Sequence, residues 1–177
     1  MKCFGMARVI FFLSIDKDIF CAIIIVDKNM NIVHVQKGDV KTMTFSELKV
    51  GQKASVQKTF TAADVTAFAG ISLDVNPIHM SDAYAKDTIF GKRIVHGILT
   101  SGLISAVLAN KLPGPGTIYL GQELRFTAPV FLGDDVTAEV EIAEIREDKK
   151  IIKLKTTCFN QDGKEVITGM ATVKFNG

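Results

Sequence analysis

The chain is 177 residues long, 47% hydrophobic and 23% charged, which fits one globular domain with a sizeable core. The formal net charge of +2 is carried by scattered lysines and arginines, so there is no basic stripe for a nucleic acid. The three cysteines, Cys3, Cys21 and Cys158, are odd in number and lack CxxC spacing, which argues against a disulfide framework and fits a reducing, cytoplasmic compartment.

The three histidines (His34, His79 and His96) and the cysteines do not cluster at zinc spacings, so no metal is expected. Residues 1–42 differ from the rest. Their two apolar runs, 9–15 and 19–26, are split by Asp16-Lys17-Asp18. Each is shorter than the roughly 20 residues that a bilayer span needs, and no small-residue cleavage site follows. Extra strands, a peripheral anchor and sequence upstream of the natural start all fit. We take the third as the expectation. Met43-Thr44-Phe45-Ser46 reads as a start, and Lys37-Gly38-Asp39 can be encoded with a purine-rich GGAG just before it. The domain is thus expected over 43–177, with 1–42 as an atypical extension.

A turn around Gly51 leads into a short strand over 54–60. Thr61 then stands before Ala62-Ala63-Asp64, a hydroxyl N-cap with an acid at the third helical position, in the manner of a capping box. Val65, Phe68 and Ala69 give that helix its apolar face, and Gly70 is expected to end it. Asp74-Val75-Asn76-Pro77-Ile78-His79 follows. Pro fixes its own φ and pushes the preceding residue out of the α region. The resulting turn can bring the Asp74 carboxylate and the His79 imidazole together beside one small molecule. Such a pair can take and return a proton near neutral pH. A purely structural loop also fits, and the spacing alone leaves both readings open. Residues 81–85 read as another capped helical turn and 88–93 as a loop.

Residues 95–112 are the most helical stretch, apolar nearly all round, as in a buried helix. Gly97, Ser101 and Ser105 recur every four residues and form one narrow face. The rest reads as antiparallel sheet. A strand covers 117–126, and Val136, Ala138, Val140 and Ile142 alternate with polar residues. A phase shift at Ala143-Glu144-Ile145 predicts a bulge. Ile152, Leu154, Thr156 and Cys158 share one face of the next strand, which makes Cys158 a small buried apolar residue rather than a nucleophile. Asp162-Gly163 is a hairpin turn. Ile167, Gly169, Ala171, Val173 and Phe175 share a face of the last strand. One buried helix followed by four long strands suggests a sheet wrapped around that helix.

Phe68-Ala69-Gly70, the Asp74–His79 stretch, Ile94-Val95-His96-Gly97-Ile98-Leu99, Tyr119-Leu120-Gly121-Gln122 and Ala128-Pro129-Val130-Phe131-Leu132-Gly133-Asp134 together resemble the MaoC-like hydratases. Among these the chain is most similar to the (R)-specific enoyl-CoA hydratases that supply polyhydroxyalkanoate synthesis. The resemblance runs from about Met43 to the C-terminus. It implies an α+β hot-dog fold, with an antiparallel sheet around a long central helix, and a homodimer with a pocket bordered by both chains. It also implies reversible addition of water to a trans-2-enoyl-CoA, with Asp74 and His79 as the acid–base pair. Coenzyme A is then part of the substrate, and no separate cofactor is expected. The Gly97 amide, at the start of the long helix, matches the family's oxyanion donor; a glycine kept for tight packing is the plainer reading. Ser105 matches a serine implicated in substrate binding, and a packing serine fits equally. Asn76 is expected to shape the turn and brace the pair, and His96 reads as a structural histidine. Lys92, Arg93 and Lys111 are candidates for the coenzyme A phosphates by neighbourhood only. An acyl-carrier-protein dehydratase, a hot-dog thioesterase and a non-catalytic acyl-binding subunit are the rival readings.

Overall fold

Five strands form where apolar and polar residues alternate: β1 (Lys53–Thr59), β2 (Thr117–Phe126), β3 (Asp135–Arg146), β4 (Ile151–Phe159) and β5 (Glu165–Phe175). Between β1 and β2 lie α1 (Ala62–Ser72), α2 (Pro77–Met80), α3 (Asp82–Ala85) and α4 (Gly97–Asn110). The computed structural model describes residues 43–177; the expectations for residues 1–42 lie outside the described residues.

The strands pair in the order β1-β3-β4-β5-β2, every neighbouring pair antiparallel. Helix α4 packs on β1, β2, β3 and β4, so it reaches both edge strands. In a flat sheet those edges would stand roughly 19 Å apart, wider than the about 10–12 Å of a helix with its side chains. The sheet therefore curls around α4, as expected.

The inward faces match the sequence pattern. Val136, Ala138, Val140 and Ile142 of β3 are fully buried, as are Ile152, Leu154 and Cys158 of β4 and Ala171, Val173 and Phe175 of β5. Burial pushes the Cys158 thiol up to about 12. On the outer face Glu139 and Glu141 of β3 meet Lys53 of β1 at 3.0 and 3.2 Å. The expected bulge is present, with the β3–β4 register shifting between Ile142 and Glu144. Gly169 marks a close approach of β5 to β2: a Cβ there would stand 1.9 Å from the Glu123 carbonyl oxygen, so only glycine fits. Among the described residues no helix is long and apolar enough to cross a membrane.

Two expectations about helices need correction. Helix α1 runs through Gly70 to Ser72, and its C-cap is Leu73 in the left-handed region at φ 62. Gly70 needs no special backbone angle. The stop comes where the Ser72 hydroxyl donates to Phe68 O and the Leu73 N–H donates to Ala69 O. Helix α4 starts at Gly97 rather than at Val95, because His96, its N-cap, has ψ 130 and lies outside the helical region. It is also buried on one side only. Thr100, Ile104, Val107 and Leu108 face the sheet, whereas Ile98, Gly102, Ser105 and Ala109 are exposed within this chain.

The N-terminus of α1 is capped as the sequence predicts. Thr61 Oγ1 accepts from Asp64 N, and Asp64 Oδ2 accepts from Thr61 N at 2.8 Å. The Thr61 hydroxyl, which donates to Asp64 Oδ2 at 2.7 Å, then the Thr61 N–H and Lys58 Nζ at 2.9 Å, hold the Asp64 carboxyl down to about 2. The folded-state value lies below the ordinary 3.8, so the stabilisation is complete above 3.8 and is lost as pH falls through about 2. Asp64→Asn, which mimics the protonated acid, is expected to cost about 1 kcal/mol at neutral pH. Urea unfolding of both proteins at neutral and acid pH checks this, since the gap should narrow toward about pH 3. A gap that stays constant with pH would contradict it.

Candidate active site

The site is assembled on a short extended segment, Ile94-Val95, placed between α2 and the loop after β2. Ile94 forms a bridge with Phe131, and the Val95 N–H bonds Val130 O. The Ala128–Asp134 motif thus has a structural task, which is to fix the entry to α4. Asp134 Oδ2 accepts from Phe131 N at 2.9 Å and steadies the same loop.

His79 lies in α2, a single turn with Pro77 at its start and Asn76 as N-cap. Asn76 Oδ1 accepts from Ile78 N at 3.1 Å, so this asparagine shapes the turn. His79 Nδ1 is 2.8 Å from Ile94 O. A carbonyl can only accept, so Nδ1 carries the hydrogen. That leaves Nε2 directed at Asp74.

Every polar atom of Asp74 except one carboxylate oxygen is engaged. Its N–H donates to Ser72 Oγ at 3.2 Å, and its carbonyl accepts from His96 Nε2 at 2.9 Å. Its Oδ1 accepts from Asn76 N at 3.3 Å. Oδ2 remains, 3.9 Å from His79 Nε2. That gap is too long for a hydrogen bond and short enough for one water molecule to touch both groups. The carboxylate is half exposed and the imidazole is buried, so the pair sits at a boundary between solvent and protein.

Gly97 is the first residue of α4, and no side chain caps this helix. First-turn N–H groups have no helical partner and carry partial positive charge. Gly97 and His79 line the same cleft of about 400 Å³, whose walls are mostly apolar: Phe90, Ile94, Phe126, Ala128, Pro129, Val130 and Ile167. A Cβ on Gly97 would lie 2.6 Å from the Phe126 ring. No sequence pattern marks Phe126, which simply ends a strand, or the part that Ser72 plays in holding Asp74.

The remaining candidates are less central. Ser105 is exposed on α4, two turns beyond Gly97, and is not among the residues lining the cleft. His96 is buried and stacks on His79, with ring centroids 3.8 Å apart. Lys92 lies over the Phe131 ring at 4.2 Å, and Arg93 is tied to Asp82 at 2.8 Å. Lys111 follows the far end of α4, roughly 20 Å of helix from Gly97. Ligand atoms of Asp74, His79 and His96 come within 4.8 Å of one another, the spacing of a metal site. The bond from His96 to the Asp74 carbonyl requires a proton on His96 Nε2, however, which removes that nitrogen from a ligand set. Asp74 and His79 alone do not make a structural metal site.

Residues 44–163 match the model of the MaoC like domain. The chain belongs to this family. It is 52% identical over 132 residues to an (R)-specific enoyl-CoA hydratase of Aeromonas caviae, covering 75% of this chain and 98% of that protein. It is 44% identical over 136 residues to a 3-hydroxybutyryl-CoA dehydratase of Methylorubrum extorquens, covering 77% of this chain and 86% of the relative. The solved structure of an A. caviae (R)-hydratase involved in PHA biosynthesis matches with a TM-score of 0.71 at 53% identity, covering 72% of this chain and 97% of that one. The curled sheet and central helix of this MaoC-like chain are therefore the hot-dog fold.

The contact between Gly97 and Phe126 can be measured. Gly97→Ala forces a methyl group against the ring and is expected to cost on the order of 1–3 kcal/mol. Phe126→Ala should relieve much of that cost, giving favourable coupling in a double-mutant cycle of denaturant unfolding. Zero coupling would mean that the ring does not occupy this position.

Proposed function

We propose that this MaoC-like chain is an (R)-specific enoyl-CoA hydratase that uses Asp74 and His79 as its acid–base pair and the Gly97 amide as its oxyanion donor. The observation that carries this reading is the 3.9 Å gap between Asp74 Oδ2 and His79 Nε2, beside an apolar cleft that also contains the uncapped start of α4. The acyl chain of a trans-2-enoyl thioester suits the apolar walls. Water sits between carboxylate and imidazole. One group starts unprotonated and takes a proton from the water as its hydroxyl bonds to C3, and the other starts protonated and gives its proton to C2. The pair ends with the proton count it began with, so the enoyl-CoA and one water are all that is consumed, and the product is a 3-hydroxyacyl-CoA; its (R) hand is the one for which the similar hydratases are named. Charge developing on the thioester oxygen meets the Gly97 N–H, and one preorganised donor of this kind contributes about 3–4 kcal/mol to the transition state. Coenzyme A is part of the substrate. A cytoplasmic setting, and a supply of hydroxyacyl units to polyhydroxyalkanoate synthesis, agree with this chemistry.

The working unit in this proposal is a homodimer joined along β2. Both β1 and β2 are edges of the sheet. Edge β1 carries Lys53 and Lys58, the charges that discourage strand pairing. Edge β2 instead exposes Ile118, Tyr119, Leu120 and Phe126, beside the open face of α4 with Ile98 59% exposed. Such an apolar edge favours a second copy of the same strand.

The first test follows loss of the conjugated enoyl absorbance with short and medium trans-2-enoyl-CoA substrates. Asp74→Asn and His79→Ala should each lower kcat by about 10²- to 10⁴-fold while remaining folded, and the wild-type product should be the (R)-alcohol. Release of free coenzyme A, or no hydration by the wild type, would overturn the hydratase reading. Separately, Leu120→Lys should convert the dimer to monomer in sedimentation equilibrium. A wild-type protein that sediments as a monomer would remove the β2 interface.

A further inference from the structure

His96 makes three contacts that the acid–base chemistry does not itself require. Its Nε2 donates to the Asp74 carbonyl at 2.9 Å and stands 4.0 Å from Asp74 Oδ2. Its ring stacks on His79 with centroids 3.8 Å apart and planes inclined by 29°. It also meets Phe68 of α1 in a T-shaped contact, with centroids 5.0 Å apart. The ring is 2% exposed, and its Nδ1 has no hydrogen-bond partner.

We propose that His96 is a positioning residue for the reaction: an imidazole that fixes Asp74 through its main chain and His79 through its ring face. This rests on the hydratase reading above. The tautomer follows from the bond to Asp74, which needs a hydrogen on Nε2. Protonating Nδ1 as well would bury a donor without an acceptor, against a second imidazole. The titratable groups that face His96 are Asp74 from the loop and His79 from α2, and Phe68 is its neutral neighbour. When His79 takes up a proton, the neutral ring beside it offers a π face to the cation. Asp74 gains in a different way. Its side chain is half exposed, so the anchor on its carbonyl, together with Ser72 and Asn76, keeps Oδ2 aimed. A small misplacement of a reacting group can cost about a hundredfold in rate.

Two variants separate the contacts. His96→Phe keeps a ring beside His79 and loses the donor to Asp74. His96→Gln keeps an N–H donor and loses the ring. We expect His96→Phe to lower kcat about tenfold to a hundredfold with KM within about twofold, and to leave the acid limb of the pH–kcat profile in place. We expect His96→Gln to retain more of kcat and to shift that acid limb to lower pH, because the imidazolium loses its π neighbour. Ile142→Val, in the β3 core far from the cleft, supplies a control for lowered stability and should leave kcat and the profile unchanged. Nitrogen-15 NMR of the wild type gives a readout free of activity: His96 should be in the Nε2–H tautomer, donating to the Asp74 carbonyl. The inference is overturned if an active wild type shows His96 in the Nδ1–H tautomer, or if both His96 variants match Ile142→Val in kcat and pH profile. A wild type with no hydratase activity would instead overturn the functional reading, and the NMR result would still decide the state of His96.

Discussion

The hydrogen bond from His79 Nδ1 to the Ile94 carbonyl sets the chemical state of the site. It places the imidazole hydrogen on the side away from Asp74, so the lone pair at Nε2 is the one that faces the carboxylate. The acceptor is main chain, and its position does not depend on a flexible side chain. Ile94 is held by its bridge to Phe131, and its own N–H donates to Ile78 O at 3.3 Å. One residue later, Val95 is bound to Val130, and α4 begins two residues after that. A single extended segment thus places the imidazole, the start of the helix and one wall of the cleft relative to one another. Long-range pairing in the sheet determines short-range geometry at the reacting groups.

Asp74 is secured by a different means. The chain leaves α1 through Leu73 in the left-handed region, a conformation that costs an ordinary side chain on the order of 1 kcal/mol. Val75 N then bonds back to Leu73 O at 3.1 Å, making a tight turn centred on Asp74. With its N–H, carbonyl and Oδ1 all occupied, the residue has little left to lose in conformational entropy when substrate arrives. The local strain at Leu73 is offset by this ordering, which leaves one carboxylate oxygen in one place. A flexible loop carrying the same residues would have to reach that arrangement during each turnover, and the barrier would rise accordingly.

Much of this was legible in the sequence because it rests on local rules. The capping box at Thr61 and Asp64, the strand from Thr117 to Phe126, the phase shift after Ile142 and the inward Cys158 each follow from spacing and residue type. The Asn-Pro turn that brings Asp74 and His79 together belongs to the same class. What was not legible shares another cause. Gly70 resembles a helix stop, yet the stop is decided by the Ser72 hydroxyl and Leu73, where the chain turns toward the site. Phe126 approaches Gly97 only because the end of β2 and the start of α4 meet in three dimensions. Ser105 shares a sequence stripe with Gly97 but lies on the open side of the helix. Periodicity gives the face on which a residue lies and does not say what that face meets.

The composition of α4 carries one further argument. Its residues are apolar nearly all round, yet the sheet of this chain covers only the face bearing Ile104, Val107 and Leu108. Ile98, on the open face, immediately follows Gly97. Fully burying a side chain of this size is worth about 1.5–3 kcal/mol, so a partner that covers the open face gains from Ile98 directly. The same cover would take water away from the first turn of α4. Electrostatic interactions strengthen as the local dielectric falls, so the N–H of Gly97 would stabilise developing charge better in the covered state than in the lone chain. Association through this side would then belong to the catalytic design, because the apolar contact that holds two copies together also dries the donor on which the enolate-like charge depends.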